Sequence, residues 1–279
     1  MIQKSYIESE YGKLYLIPTP IGNLDDITYR AINTLRDVDV VFAEDTRVTI
    51  NLLKHFDISK KVESCHKYTE MKNKDKIINI LKSGKNIGYV TDRGTPLISD
   101  PGNVIVDAVI EENITVIALP GSSALLPALN MSGISNERFL FYGFLQSKSS
   151  LAKKELIDLK EEKYSIILYE SPHRILNTLE LIFDVFGDRK IAVVREISKL
   201  YEEVIRGRVS EVISLADNIR GEIVLVIEGN NISSIRTIDG KSINKGSSEY
   251  NDLHKKYKDL FEKALRNELE STNITYTAI

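Results

Sequence analysis

Residues 86–102 read NIGYVTDRGTPLISDPG. NIGYV is a smooth apolar run of the kind that forms a buried strand, and NVIVDAVIEEN (103–113) has helical spacing. A connection between such elements usually takes about four to six residues. TDRGTPLISDPG (91–102) is longer and packs aspartates, glycines, prolines and hydroxyls into one loop. A strand that feeds a helix through a loop this rich in chemistry suggests a bound ligand.

The same alternation continues on both sides. Upstream, LYLIP (14–18) is a strand, ITYRAINTLRDV (27–38) a helix, DVVFAE (39–44) a strand and TRVTINLLKHF (46–56) a helix. Asp25 and Asp26 suit the start of the first helix, where carboxylates cap free N–H groups and complement the dipole. Downstream, ITVIALP (114–120) is a strand and SALLPALNMSG (123–133) a helix. Strands alternating with helices imply a mainly parallel sheet covered on both faces. The pattern then restarts. FLFYGFL, YSIILYE, KIAVVREIS, EEVIRGRVS and EIVLVIEG read as strands, and KKELIDLKEE, RILNTLELIFDVFG and EVISLA as helices. We expect an α/β chain of two α/β domains, 1–122 and 123–232. Residues 233–279 follow as a polar linker and an amphipathic helix over YNDLHKKYKDLFEKALRNEL.

The bulk composition narrows the function. The 279 residues are 42% apolar and 28% charged, an ordinary composition for a folded, soluble chain. A net charge of −3 argues against a general polyanion binder, although it leaves room for a local basic patch. The single cysteine, Cys65, fits a reducing compartment. MIQKSYIESEYGK lacks the apolar core of a secretion signal, and no run reaches about 20 apolar residues, so we expect a cytoplasmic protein.

In open parallel sheets, ligands bind beyond the carboxyl ends of the strands. PTPIGNLDD (18–26), AEDTR (43–47), TDRGTPLISDPG and LPGSSA (119–124) all fall there. The chain has no GxGxxG after the first strand, no GxxxxGK[ST], no HExxH, no CxxC and no GxSxG. Dinucleotides, nucleoside triphosphates, metals and a serine nucleophile are therefore disfavoured. What the loops offer is freed backbone, small hydroxyls and isolated carboxylates. That suits a ligand with a nucleoside end and an amino-acid end, with Asp92 taking an ammonium or hydroxyl and Ser122 and Ser123 a carboxylate. Taken singly, each loop reads equally as a turn and each serine as a cap.

As a set, IPTPIGNLDDIT, AEDTR, GTPLISDPG, ALPGSSA, GFL, LYESPHRI, REISKLYEE and RG resemble the ribosomal RNA small subunit methyltransferase I family, over roughly residues 12–230. The resemblance implies two domains of the tetrapyrrole methylase type with S-adenosylmethionine in the cleft between them. It also implies a homodimer and methylation of a cytidine ribose 2′-hydroxyl in 16S rRNA of the small ribosomal subunit. The cofactor loops would then contribute Pro20, Gly22, Asp92, Gly94, Thr95, Pro96, Ser122, Ser123 and Ala124, with no metal. Asp45 would be the base and Lys199 a polarising cation. Arg47, His66, Glu70, His173, Arg174 and Arg195 would contact RNA. Each of the AEDTR, YESPHR and REISK motifs reads alternatively as an ion pair bracing its loop.

Three departures stand out. Arg93 replaces the family's usual small residue, either reaching RNA phosphate or pointing to solvent. CHKYTE (65–70) keeps His66 and Glu70 of the family's pattern but has Tyr68 and Thr69. The loop LQSKSSLAKKEL is only weakly basic, with Lys148, Lys153 and Lys154. Two rival functions remain, a small-molecule methyltransferase acting on a tetrapyrrole-like ring and a catalytically inactive ribosome assembly factor.

Overall fold

The computed structural model describes residues 3–7, 10–216, 219–230, 235–236 and 242–243. The amphipathic helix expected beyond residue 250 lies outside the described residues.

The first half builds one five-stranded sheet from β1 (Leu14–Leu16), β2 (Val40–Ala43), β3 (Lys61–Ser64), β4 (Ile87–Val90) and β5 (Val116–Ala118). The strands are all parallel in the order β3-β2-β4-β1-β5. Between them run α1 (Tyr29–Asp37), α2 (Thr46–His55), α3 (Glu70–Lys82) and α4 (Asn103–Glu111). Alternate strand residues face opposite layers. Ile17, Val41 and Val90 pack with α1 and α2 through Ala31, Leu35 and Leu53. Leu14, Phe42 and Tyr89 pack with α3 and α4 through Ile77, Leu81, Ile105 and Val109. This division follows from right-handed crossovers. The chain steps one way from β1 to β3 with helices on one face, then returns to β5 with helices on the other. The interior is apolar; Phe42, fully buried, would cost about 3–5 kcal/mol if truncated to alanine.

β3 and α3 fill the stretch 57–85, to which the sequence pattern assigns no element. KVES is an edge strand with no fully buried position, and the apolar residues of α3 gather in its second half. Neither leaves a clean period.

The entry to α1 also differs from expectation. Asp25 and Asp26 do not cap it. They lie in a 3-10 turn, Leu24–Asp26, whose own cap is Asn23, and the Thr28 hydroxyl accepts the Ala31 N–H at 3.0 Å to start α1.

The second half begins with α5 (Leu125–Ser132). A second sheet follows, made of β6 (Phe139–Phe144), β7 (Ser165–Glu170), β8 (Lys190–Arg195), β9 (Glu203–Arg208) and β10 (Ile223–Ile227), with α6 (Ser149–Leu159), α7 (Ile175–Phe186) and α8 (Val209–Ile213) between strands. Its order is β6-β7-β10-β8-β9, and only β6 and β7 are parallel. Here the chain turns back directly from β8 into β9, and β10 inserts antiparallel between β7 and β8. That central place explains why all five residues of IVLVI are buried. Helices α6, α7 and α8 cover one face. Helix α5 covers the other through Ala128 and Leu129, joined by Ile21 from the loop after β1. A short hairpin, β11 (Ile235–Arg236) with β12 (Ser242–Ile243), completes the described strands. No helix among the described residues is long and apolar enough to cross a membrane.

Candidate active site

Neighbouring β1 and β4 send their following helices to opposite faces of the sheet. That splits the loops above them and opens a crevice at their carboxyl ends. The two loops are pinned to each other there. Thr19 N–H donates to Gly94 O and Gly94 N–H to Thr19 O, both at 2.9 Å. Gly94 takes φ +78°, and Gly102, at the far end of the same loop, takes +130° with Tyr89 and Leu97 within 3.0 Å of any added Cβ. Both positions call for glycine, for conformation and, at Gly102, also for space.

Carboxylates crowd this edge. The Asp45 N–H donates to Asp92 Oδ1 at 2.9 Å, tying the end of β2 to the end of β4. The Asp45 carboxylate caps α2 by accepting the Arg47 N–H at 2.8 Å and pairs with the Arg47 guanidinium at 2.5 Å. Hydrogen bonds from the Arg47 side chain, then from its backbone, hold Asp45 down at about 2. Glu44 and Asp100 move the other way. Burial raises Glu44, and Asp92 adds to it. Burial also raises Asp100, to about 6, with Glu44 and Asp92 repelling its charge. Among the described residues, no salt bridge involves Glu44, Asp92 or Asp100. A cation entering this corner would find negative charge that the protein itself leaves uncompensated.

A cavity of about 550 Å³ opens beside it, lined by Thr19, Pro20, Gly22, Asp92, Arg93 and Lys199 together with residues of α2. Lys199 comes from the loop after β8, so both sheets contribute. Its aliphatic stem lies against Gly22, where an added Cβ would stand 2.4 Å from Lys199 Cγ. Its ammonium sits between Glu196 (2.8 Å) and Glu222 (3.0 Å). Burial pulls that ammonium down, but the two carboxylates outweigh burial and raise it, so Lys199 stays charged. The supporting loop is strained, with Glu196 at φ +52° and Ser198 at +69°. Ser198 is anchored on Asp26 of the first loop. Arg93 is more than half exposed but also has a partner within the chain. It crosses the cleft to Glu222 and shares that carboxylate with Lys199.

Pro20, Gly22, Asp92 and Lys199 thus meet in one cavity, while Gly94, Thr95, Pro96, Ser122, Ser123 and Ala124, the other expected cofactor residues, do not line it. Thr95 Oγ1 donates to Ser122 O at 2.9 Å, and Ser122 Oγ donates to Asp26 O at 3.0 Å. Pro96 follows Thr95, and Ala124 precedes α5, whose first turn has no side-chain cap. Ser123 faces Tyr169 of β7. Burial raises that phenol, with Ser123, Asp100 and the Leu125 backbone around it. Tyr169 is a cleft residue that motif reading passes over, and its only signal is its place at a strand end.

The residues expected to contact RNA separate into two groups. Arg47 and His66 line a second opening, about 400 Å³, with Glu44, Asp45, Lys67 and Tyr68. Glu70 does not line it; it is only 6% exposed, with Oε1 lacking a hydrogen-bond partner. Burial takes it out of reach of an RNA strand arriving from solvent. The other group sits at the edge of the second sheet. Arg174 donates to Leu145 O and Gln146 O at 3.1 Å and lies 3.5 Å from Glu170. Arg195 pairs with Glu203 at 2.5 Å. His173 is exposed. Among the described residues, no cluster of His, Cys, Asp or Glu is arranged to hold a metal ion.

Comparison with known proteins gives this arrangement a context. Residues 13–213 match the sequence profile of tetrapyrrole (corrin/porphyrin) methylases. A Bacillus subtilis (strain 168) protein named ribosomal RNA small subunit methyltransferase I is 50% identical over 226 residues, 80% of this chain and 77% of its own. A Thermotoga maritima protein of the same name is 43% identical over 78% of this chain and 99% of its own. Among solved structures, a cobalt precorrin-4 methyltransferase superimposes with a TM-score of 0.60 over 80% of this chain and 98% of its own, at 18% identity. A uroporphyrin-III C-methyltransferase from Thermus thermophilus gives 0.57 over 78% and 94%, at 17% identity. At such identities the structural matches speak for the fold alone.

Proposed function

From the premise that this chain belongs to the ribosomal RNA small subunit methyltransferase I family, we propose that it transfers a methyl group from S-adenosylmethionine to a cytidine ribose 2′-hydroxyl in 16S rRNA of the small ribosomal subunit. We take the working form to be a cytoplasmic homodimer, each subunit holding its cofactor between domains 1–122 and 123–232.

The observation that carries this reading is the corner formed by Glu44, Asp92 and Asp100, unpaired carboxylates beside a cavity that also contains a fixed ammonium. The donor set fits the proposed cofactor. Asp92 and Asp100 suit its cationic groups, and Ser122 and Ser123 just ahead of α5 suit its carboxylate. Loops pinned by the Thr19–Gly94 bridge supply backbone and exclude water. The cations that line the cavity, Arg93 and Lys199, are already paired with Glu222 and Glu196, which disfavours a triphosphate there. When bound, the cofactor supplies an electrophilic methyl group on a sulfonium.

The protein's own part is to orient, desolvate and manage one proton. The 2′-hydroxyl is a weak nucleophile and must lose its proton as the new C–O bond forms. Asp45, held at about 2 by Arg47, is a poor acceptor. Glu44, raised by burial and by Asp92, is the better one, and we assign the proton to it. Lys199, charged and held by Glu196 and Glu222, stabilises negative charge developing on the oxygen.

With a net charge of −3, affinity for naked RNA should be weak, and the folded subunit should supply shape as well as charge. The test offers labelled S-adenosylmethionine with unmethylated small subunits, free 16S rRNA and a tetrapyrrole precursor. Label mapped to one ribose in subunit rRNA is the expected result. Label in the tetrapyrrole alone would overturn the reading. Cofactor binding with no transfer to any substrate would identify an inactive assembly factor.

A further inference from the structure

The smaller opening, lined by Glu44, Asp45, Arg47, His66, Lys67 and Tyr68, is not needed to hold the cofactor. Its rim carries a costly feature. Tyr68 is 87% exposed, a large ring facing water in the turn between β3 and α3. Nothing about the turn is loose. His66 N–H donates to Thr69 Oγ1 at 3.0 Å, Thr69 Oγ1 donates back to His66 O at 3.0 Å, and Thr69 N–H reaches the same carbonyl at 2.7 Å. Just before it, Cys65 N–H donates to Ala43 O at 2.7 Å, and Asn73 Nδ2 fixes Ser64 O at 2.9 Å. The backbone is pinned at both ends while the ring is left outside.

The surroundings select the occupant. His66 meets the Tyr68 ring edge-on at 6.1 Å between centroids, leaving the Tyr68 ring largely uncovered. Lys67 and Arg47 flank it, both exposed, and among the described residues Lys67 makes no ion pair. An exposed ring between two cations on a rigid turn is how proteins receive an unpaired nucleobase, with stacking on the ring and phosphates on the cations. A peptide adding to the nearby edge strand β3 would leave the ring and the two cations unused, whereas the opening of about 400 Å³ brings ring and cations together.

The geometry points to Tyr68 as a stacking platform for one unpaired base of the RNA substrate, with Lys67 and Arg47 holding the adjacent phosphates. This rests on the methyltransferase reading and deepens it. Asp45 of this opening donates its N–H to Asp92 of the cofactor cavity, so the two lie side by side, and the proposed acceptor Glu44 lines the same opening as Tyr68. Tyr68 acts as a positioning and selectivity residue and takes no part in the chemistry.

The chain contains no tryptophan, so Tyr68→Trp installs a single indole reporter. Single-stranded oligoribonucleotides should quench its fluorescence, and abasic strands of equal length should not. In parallel, Tyr68→Ala should raise KM for small subunits roughly 5- to 150-fold, the usual worth of one stacked base. Its kcat and cofactor affinity should stay near the wild-type values, and Tyr68→Phe should restore KM. Equal quenching by abasic strands would overturn the proposal, as would a normal KM for Tyr68→Ala. Failure of Tyr68→Phe to rescue would point to the hydroxyl and overturn stacking. Quenching by subunit proteins but not by RNA would make the site a protein contact. Wild-type transfer to rRNA without base-dependent quenching would sink this inference and leave the methyltransferase reading intact. Base-dependent quenching without transfer would do the reverse.

Discussion

The two sheets use their charged motifs in opposite ways. At the edge of the second sheet, YESPHR is consumed by structure. Glu170, buried to within 1% at its side chain, accepts from Thr178 Oγ1 at 2.6 Å and from Ser171 N–H at 2.7 Å, and Arg174 closes the group while holding two carbonyls of the loop after β6. At the edge of the first sheet, Glu44, Asp92 and Asp100 have no ion-pair partner among the described residues, and burial, with their mutual repulsion added to it, raises Glu44 and Asp100. Carboxylates whose charge is already answered report on folding. Carboxylates kept together without an answer report on something that binds.

This contrast can be broken experimentally, and the largest effect should come from the braced side. Glu170→Ala should lower unfolding stability by about 3–5 kcal/mol in urea titrations, because Arg174 and Thr178 lose a buried partner. Its cofactor affinity at low temperature, where it stays folded, should be nearly normal. If Glu170→Ala were stable but unable to bind cofactor, the division between the two edges would be wrong.

On the other side, Asp92→Asn keeps an oxygen for the Asp45 N–H but removes the charge. Calorimetry should find cofactor binding weakened about 10- to 100-fold, with the melting temperature little changed.

Asp100 sharpens the comparison through pH. Folding favours its neutral form, because its value rises from 3.8 to about 6. The stabilisation is complete below about pH 4 and is lost as pH rises through 6. Asp100→Asn should therefore be the more stable protein above pH 6, by up to roughly 2–3 kcal/mol, and should flatten that slope. A stability curve identical to that of the wild type would show that the carboxylate is not strained.

The smallest effect should belong to Arg93→Ala. Arg93 and Glu222 are both more than half exposed, so their pair should contribute about 0–1 kcal/mol even though it joins the two sheets.

The sequence displayed some of this clearly. LYLIP, DVVFAE and NIGYV announce buried parallel strands, and the polar loops after them mark the working edge. β3 and α3 were hidden, because an edge strand with no fully buried residue and a helix apolar over half its length leave no period to read. The second sheet's antiparallel pairing was hidden too. IVLVI announces burial, but burial does not say which neighbours flank a strand or in which direction they run. Motif residues looked alike on paper. Asp45 and Asp92 are both loop aspartates, yet one is neutralised by the arginine two positions along and the other is not.

By itself, then, the sequence determined the alternation of elements, the edge where ligands gather and the family to which the chain belongs, since local periodicity and loop composition are properties of contiguous residues. Only the tertiary structure decided what each charge is for. Arg93 finds Glu222 and Asp26 finds Ser198 across 129 and 172 positions of chain, and Glu70, at the start of α3, is buried. Electrostatic character depends on distance in space and on access to water, and neither is written in the order of the chain.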